Sequence, residues 1–180
     1  MKKVVAILFL LNLSLFAYKY NEFLIKTQAA LLPKIMLLDK KFANKTVDSK
    51  VKIAIIFNEN DINTAFLLKT FITNYYGSDF ENYMLVIKLK KVEDFLNSKE
   101  KYSAIYLLKL SEDNYQKIYK KIKNSNIYSF VYDKDDLKYG FLFSIDLEEK
   151  PIIFMNKKAI NKNFDFIEQL YTLVRLIDNV

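Results

Sequence analysis

The stretch 51-VKIAIIFNENDINTAFLLKTFITNYYG-77 decides how this chain is read. VKIAIIF (51–57) is a short, β-branched apolar run. Such a run suits a strand buried on both faces, as in a parallel sheet covered by helices. A polar turn follows, in which Asn60 or Asp61 can cap a helix. Gly77 stands where that helix should end in a left-handed residue. A strand running straight into a helix is the first half of a βαβ unit.

The same alternation continues downstream. YMLVIKL (83–89) reads as a second strand and VEDFLNSK (92–99) as a short amphipathic helix. SAIYLLKL (103–110) is a third strand. Ser111 caps the next helix, with Glu112 and Asp113 in its first turn favouring the helix dipole. That helix runs to about Asn124 and turns Tyr115, Ile118, Tyr119 and Ile122 inward. IYSFVYD (127–133) is a fourth strand. YGFLFSID (139–146) and PIIFMN (151–156), joined by LEEK, form an antiparallel hairpin. Pro151 fits a strand start or edge, where its missing N–H is harmless. A brief helix near Lys157–Lys162 and a closing helix over 164–178 complete the chain. Upstream, residues 20–38 read as a helix that Pro33 should kink or restart, and FANKTVDSK (42–50) as a polar loop. The fold class is therefore α/β: a mostly parallel sheet flanked by helices, with a C-terminal antiparallel hairpin and a closing helix.

The N-terminus suggests a compartment. Met1-Lys2-Lys3 is positive, residues 4–16 (VVAILFLLNLSLF) are apolar, and Ala17 is a small residue at a cleavable position. This is the order of a secretory signal peptide. The apolar run falls short of the roughly 20 residues of a membrane span. The expectation is a signal peptide over 1–17 and one domain over 18–180, delivered to the periplasm without membrane insertion once the signal is cut; retention as an anchor is the other reading. About 160 residues suffice for a single core.

Composition excludes several chemistries. The chain has no Cys and no His. No disulfide staples it, zinc and copper sites lose their usual ligands, and Ser–His or Cys–His catalytic pairs are ruled out. The formal charge is +7, or +5 without Lys2 and Lys3, but Arg175 is the one arginine and the lysines are dispersed. Nucleic acid is not an expected partner.

Candidate sites were weighed along the chain. The turn FNENDIN has no glycine, so neither a P-loop nor a dinucleotide fingerprint is present. A phospho-acceptor Asp at the end of the third strand is replaced by Lys109-Leu110. Asp133, Asp135 and Asp136 lack the glycine and closing Glu of a calcium loop and read as a solvated turn, as do Glu148 and Glu149. No catalytic residue, metal site or cofactor is assigned. Most of the 13 Tyr and 15 Phe belong to the core, while Tyr75, Tyr76 and Tyr139 lie at element ends where a hydroxyl can reach water. Around the hairpin, Gly140 suggests a close approach or a bulge, and Asn156 a cap for the short helix. Tyr139, Gly140, Asn156, Lys157 and Lys158 are the candidate partner-binding residues, with Tyr139, Lys157 and Lys158 the more exposed of them.

Four features together resemble the YfiR-like periplasmic proteins. These are a secretion signal followed by Lys26-Thr27-Gln28-Ala29, the strand VKIAIIF, a glycine-led strand from Gly140 to Ile145 paired with IIFMN, and Asn156 and Ala159 followed by Phe164-x-Phe166-x-x-x-Leu170-x-x-Leu173-Val174-Arg175. The resemblance implies a regulator rather than an enzyme. It implies inhibition of an inner-membrane diguanylate cyclase through its periplasmic part, a sensor kinase being an equivalent target, and leaves a homodimer open. The family's cysteines are missing, and its glycine before the last helix is replaced by Asn163, which tolerates left-handed geometry. The alternative from another class is a periplasmic small-ligand-binding protein serving a transporter or receptor.

Overall fold

A computed structural model describes residues 20–178, so the signal peptide expected over 1–17 lies outside the described residues. Strand β1 (Lys50–Phe57) is the centre of the architecture and is buried along most of its length. Its alternation of faces builds two cores. Ile53 and Ile55 point to one side of the sheet, Ala54 and Ile56 to the other.

β1 pairs in parallel with β3 (Tyr83–Lys91) on one side and β4 (Ala104–Leu107) on the other. β4 pairs in parallel with β5 (Tyr128–Val131), and β5 with β6 (Phe143–Leu147). β7 (Pro151–Asn156) returns antiparallel to β6, in a register that sets Leu147 opposite Pro151 and Phe143 opposite Met155. The edges are β2 (Asp79–Phe80), antiparallel to β3, and β8 (Val174–Ile177), parallel to β7. The sheet order is β2-β3-β1-β4-β5-β6-β7-β8. The α/β class expected from the alternation is the one observed.

Helices α1 (Glu22–Leu37) and α2 (Ile62–Tyr76) cover one face, burying Ile25, Leu32, Leu68 and Ile72 with Ile53 and Phe130. α3 (Val92–Asn97) and α4 (Glu112–Ile122) cover the other, burying Phe95, Tyr115 and Ile118 with Ile105. Ser111 caps α4 as expected, its hydroxyl accepting from the Asn114 N–H at 3.4 Å. Gly77 ends α2 at φ 65° and ψ −148°, a glycine-permissive conformation beyond the left-handed helical region. Among the described residues, no helix is long and apolar enough to cross a membrane.

Several expectations are corrected. α1 continues through Pro33 as one helix. Pro33 deprives the Ala29 carbonyl of its helical donor, and on the next residue the Ala30 carbonyl takes a hydrogen bond from the Tyr76 hydroxyl. Tyr76 is thus tied to α1 rather than to water. Residues 134–139 form a 3-10 turn that ends at Gly140, and β6 begins only at Phe143. The turn after Asn156 is a single 3-10 turn, Lys157–Ala159.

The largest correction is at the C-terminus. The closing helix is α5 (Glu168–Leu173), six residues rather than fifteen, and Val174–Ile177 is strand. The helical spacing of Leu170, Leu173, Val174 and Ile177 holds for little more than a turn. The open edge of β7 then offers backbone partners for every residue of β8, and Val174 and Ile177 suit an extended backbone. Nor does Asn163 take a left-handed conformation. Positive φ at non-glycine residues falls at Asp48, Ser49 and Glu81 among the described residues.

Candidate functional site

An open α/β sheet receives ligands beyond the carboxyl ends of its strands, at the point where strand order reverses. Here that point lies between β1 and β4, and the chain's own side chains fill it. The Tyr20 hydroxyl accepts from the Lys109 N–H at 3.0 Å, and Asn58 Nδ2 donates to the Lys109 carbonyl at 3.1 Å. Lys109 Nζ lies 2.7 Å from Asp133 Oδ2 and 3.6 Å from Asp136 Oδ2. The Tyr115 hydroxyl donates to Asp136 at 2.6 Å and accepts from the Leu110 N–H at 3.1 Å. The turn at 133–137, read as solvated, is therefore half interior: Asp136 is 5% exposed. The Lys at the end of the third strand supplies the charge that allows this.

The electrostatics follow from burial. Burial raises Asp136, and the Tyr115 and Lys109 bonds offset only part of that. Burial also raises Asp61, next to Tyr20, and the Tyr20 hydroxyl is pushed far up by burial and by the Asp61 carboxylate. Asp133 is buried too, which raises it, but the Lys109 bond and the Asp135 N–H prevail and hold it below the ordinary value. This cluster locks strand ends together, and beside it lie depressions of about 320 Å³, lined by Asn58, Lys91 and Asn114, and about 900 Å³, lined by Glu112, Lys134 and Asp135. Among the described residues, no group of three or more His, Cys, Asp or Glu is placed to hold a metal ion.

A second polar knot joins residues the sequence separates widely. Lys45, expected in a polar loop, is buried with Asp39: Nζ to Oδ2 is 2.7 Å and neither side chain is exposed. Tyr128 donates to Asp39 Oδ2 at 2.8 Å, and the N–H groups of Lys41 and Asp165 donate to Oδ1 at 2.9 and 3.0 Å. Lys45 also donates to the Asn163 carbonyl at 2.6 Å and lies over the rings of Phe164 and Tyr128. Burial pushes Asp39 up, but its bonds to Lys45, the two N–H groups and Tyr128 outweigh it and the net shift is downward. Gln28 is a third interior group. It lies on the apolar face of α1, between Leu24 and Leu32, and donates to the carbonyls of Tyr132 and Ile145 at 2.9 and 2.7 Å.

A groove without carboxylates in its lining lies at the opposite end of the sheet, where β5 and β6 begin and β7 ends. It runs between α4 and the segment 156–161. Two depressions of about 220 and 190 Å³ share Tyr119, Gly140, Lys158 and Ala159. Lys138, Tyr139 and Asn156 complete one; Lys123, Ser125 and Phe164 belong to the other. Gly140, at φ 97°, is required at this point because a Cβ there would stand 2.5 Å from Cε2 of Tyr119. The close approach expected of it is thus to a tyrosine ring. Tyr139 stacks on Tyr115, centroids 4.9 Å apart, with Lys138 Nζ 5.1 Å from its own centroid.

Four of the five candidate partner-binding residues, Tyr139, Gly140, Asn156 and Lys158, line this one depression. Lys157 is not among its lining residues and lies 3.8 Å from Asp178. Asn156 is 2% exposed and works inward. Its Oδ1 accepts from the Lys158 N–H at 3.0 Å, the expected cap, and its Nδ2 donates to the Leu137 carbonyl at 3.1 Å. It shapes the groove rather than offering a contact. Tyr119, Lys123 and Lys138 escaped the sequence reading, although Tyr119 and Lys123 follow one another at i, i+4 at the end of α4.

The sequence matches no family model and no curated protein. Among solved structures it is similar to the crystal structure of a conserved domain protein from Vibrio cholerae O1 biovar eltor str. N16961, with a TM-score of 0.59 at 12% identity. The match covers 84% of this chain and 59% of that one. At that identity the likeness extends to the fold alone.

Proposed function

We propose that this chain is a periplasmic regulatory binding protein that modulates, by inhibition, a membrane-bound signalling protein through its periplasmic sensor region. A diguanylate cyclase is the first candidate for that partner, and a sensor kinase fits the same mechanism. The observation carrying the reading is a groove whose lining holds no carboxylate. Between β1 and β4 the usual ligand crevice is filled by Tyr20, Lys109 and Asp133, while this groove, with exposed lysines and a half-buried tyrosine, lies at the other end of the sheet. The likeness of the closing segments to the YfiR-like proteins supports the same reading. The groove lies against β5, β6 and α4, so it offers a partner a fixed surface. A surface of that kind binds one sensor conformation better than another and shifts their populations. As the resemblance implies, we read the protein as a binder rather than an enzyme. Deleting the gene should raise cellular cyclic-di-GMP or change the output of a sensor kinase. A deletion strain with both unchanged would count against the proposal.

One observation favours a second reading, capture of a small ligand for a transporter or receptor. A separate pocket of about 470 Å³ is lined by Phe95, Tyr102, Ile122 and Ile127, with Lys101 and Lys121 at hand. That volume falls within the usual range for small-molecule sites, roughly 300–1,000 Å³. Stabilisation of the protein by a periplasmic metabolite in a thermal-shift screen, lost in Phe95→Ala, would move the weight to this reading.

A further inference from the structure

Some surface lysines sit against carboxylates. Lys52 lies 2.7 Å from Asp48, Lys117 2.6 Å from Asp113 and Lys134 3.0 Å from Asp146. The groove beside α4 differs. Lys123, Lys138 and Lys158 line it, all three exposed, and no Asp or Glu is among the lining residues of either depression. Among the described residues neither Lys123 nor Lys138 has a carboxylate within 4.0 Å. Between them Gly140, lacking a side chain, leaves room for the Tyr119 ring. Beyond the Lys138 end the charge is mixed: Glu112 and Asp135 line the next depression, together with Lys134, Lys138 and Tyr139.

We infer that this groove receives an acidic, extended segment of a partner protein. The inference rests on the binding-protein reading above and names the chemistry of what is bound. The ammonium groups of Lys123 and Lys138, one in each depression, complement a chain carrying carboxylates at intervals. Tyr119 and Tyr139 give its backbone and apolar stems a surface to lie on. Lysines bind as point charges on flexible stems, so the groove sorts partners by charge and width rather than by bidentate geometry. Its association should weaken as salt rises.

The test uses the purified protein and a labelled peptide alternating Glu and Ser, read by fluorescence anisotropy. The comparisons are the same peptide with Gln for Glu, and free glutamate as competitor. The Glu peptide should bind and the Gln peptide should not. The double variant Lys123→Gln, Lys138→Gln should bind about five- to tenfold more weakly, the effect of two surface ion pairs. The control Lys34→Gln, Lys99→Gln removes the same charge from other faces and should leave binding unchanged. The inference is overturned by any of four results: no binding of the Glu peptide, equal binding of both peptides, equal weakening in the control variant, or full displacement by free glutamate. The last would make the groove a site for small carboxylates. Capture of a membrane signalling protein that persists in the groove variant would overturn the groove assignment and leave the regulator reading standing. Peptide binding lost in the groove variant, with no signalling protein captured by the wild type, would do the reverse.

Discussion

At Gly140, two requirements meet in one residue: a backbone at φ 97° and room for the Tyr119 ring. Gly140→Ala should destabilise the fold through both, and adding Tyr119→Ala should recover only the steric share. A double-mutant cycle by denaturant unfolding separates the two. Asp39 and Lys45 carry a larger penalty. Removing one partner of a fully buried pair leaves an uncompensated charge, so Asp39→Asn should cost about 3–5 kcal/mol. The pH dependence has a definite sign. Asp39 titrates below its ordinary value of 3.8 in the folded protein, so its contribution is complete above that value and is lost as pH falls through the lower, folded one. Asp136 and Asp61 are raised and run the other way: the folded state holds their protons more tightly, so their ionisation costs stability as pH rises. Unfolding free energy measured below pH 3.8 should fall with pH in the wild type and fall less steeply in Asp39→Asn.

At the scale of elements, the C-terminal strand is the feature most open to direct test. Ile153 and Val174 are register partners in β7 and β8. Because the chain has no native cysteine, Ile153→Cys with Val174→Cys should close a disulfide on mild oxidation. A pair that stays reduced would favour the longer helix. Replacing Ser111 by Ala should cost about 1 kcal/mol, the usual worth of a helix cap, read as a shift in the unfolding midpoint. Here the limits of sequence become physical. β1, β3 and β4 are legible because each is a short apolar run bounded by polar turns with a helix signal after it, and β5 because it is a similar run with a helix signal before it. β8 is not, because its state depends on whether β7 has an open edge, which no local period encodes. Lys45 reads as loop because the segment that covers it, around Asn163 and Phe164, comes more than a hundred residues later. Gly140 is legible as a site because glycine is so rare in this chain. Lys123 and Lys138 are not, since they look like any solvated lysine until the fold removes carboxylates from their surroundings.

Across the whole molecule, the two ends of the sheet differ in their charges. At the carboxyl end the crevice between β1 and β4 is tied shut by interior hydrogen bonds and ion pairs and is flanked by depressions of mixed charge, whereas the groove at the opposite end has lysines and no carboxylate in its lining. On the proposed reading the first supplies rigidity and the second contact. The fold is similar to that of a Vibrio cholerae protein at 12% identity. The measurement that tests the central claim most directly is in-cell crosslinking of the tagged protein, followed by mass spectrometry of what it holds. The account predicts recovery of an inner-membrane protein with a periplasmic sensor region and a cyclase or kinase domain. Recovery of transporter or outer-membrane receptor components alone would contradict it and make the 470 Å³ pocket the site to pursue.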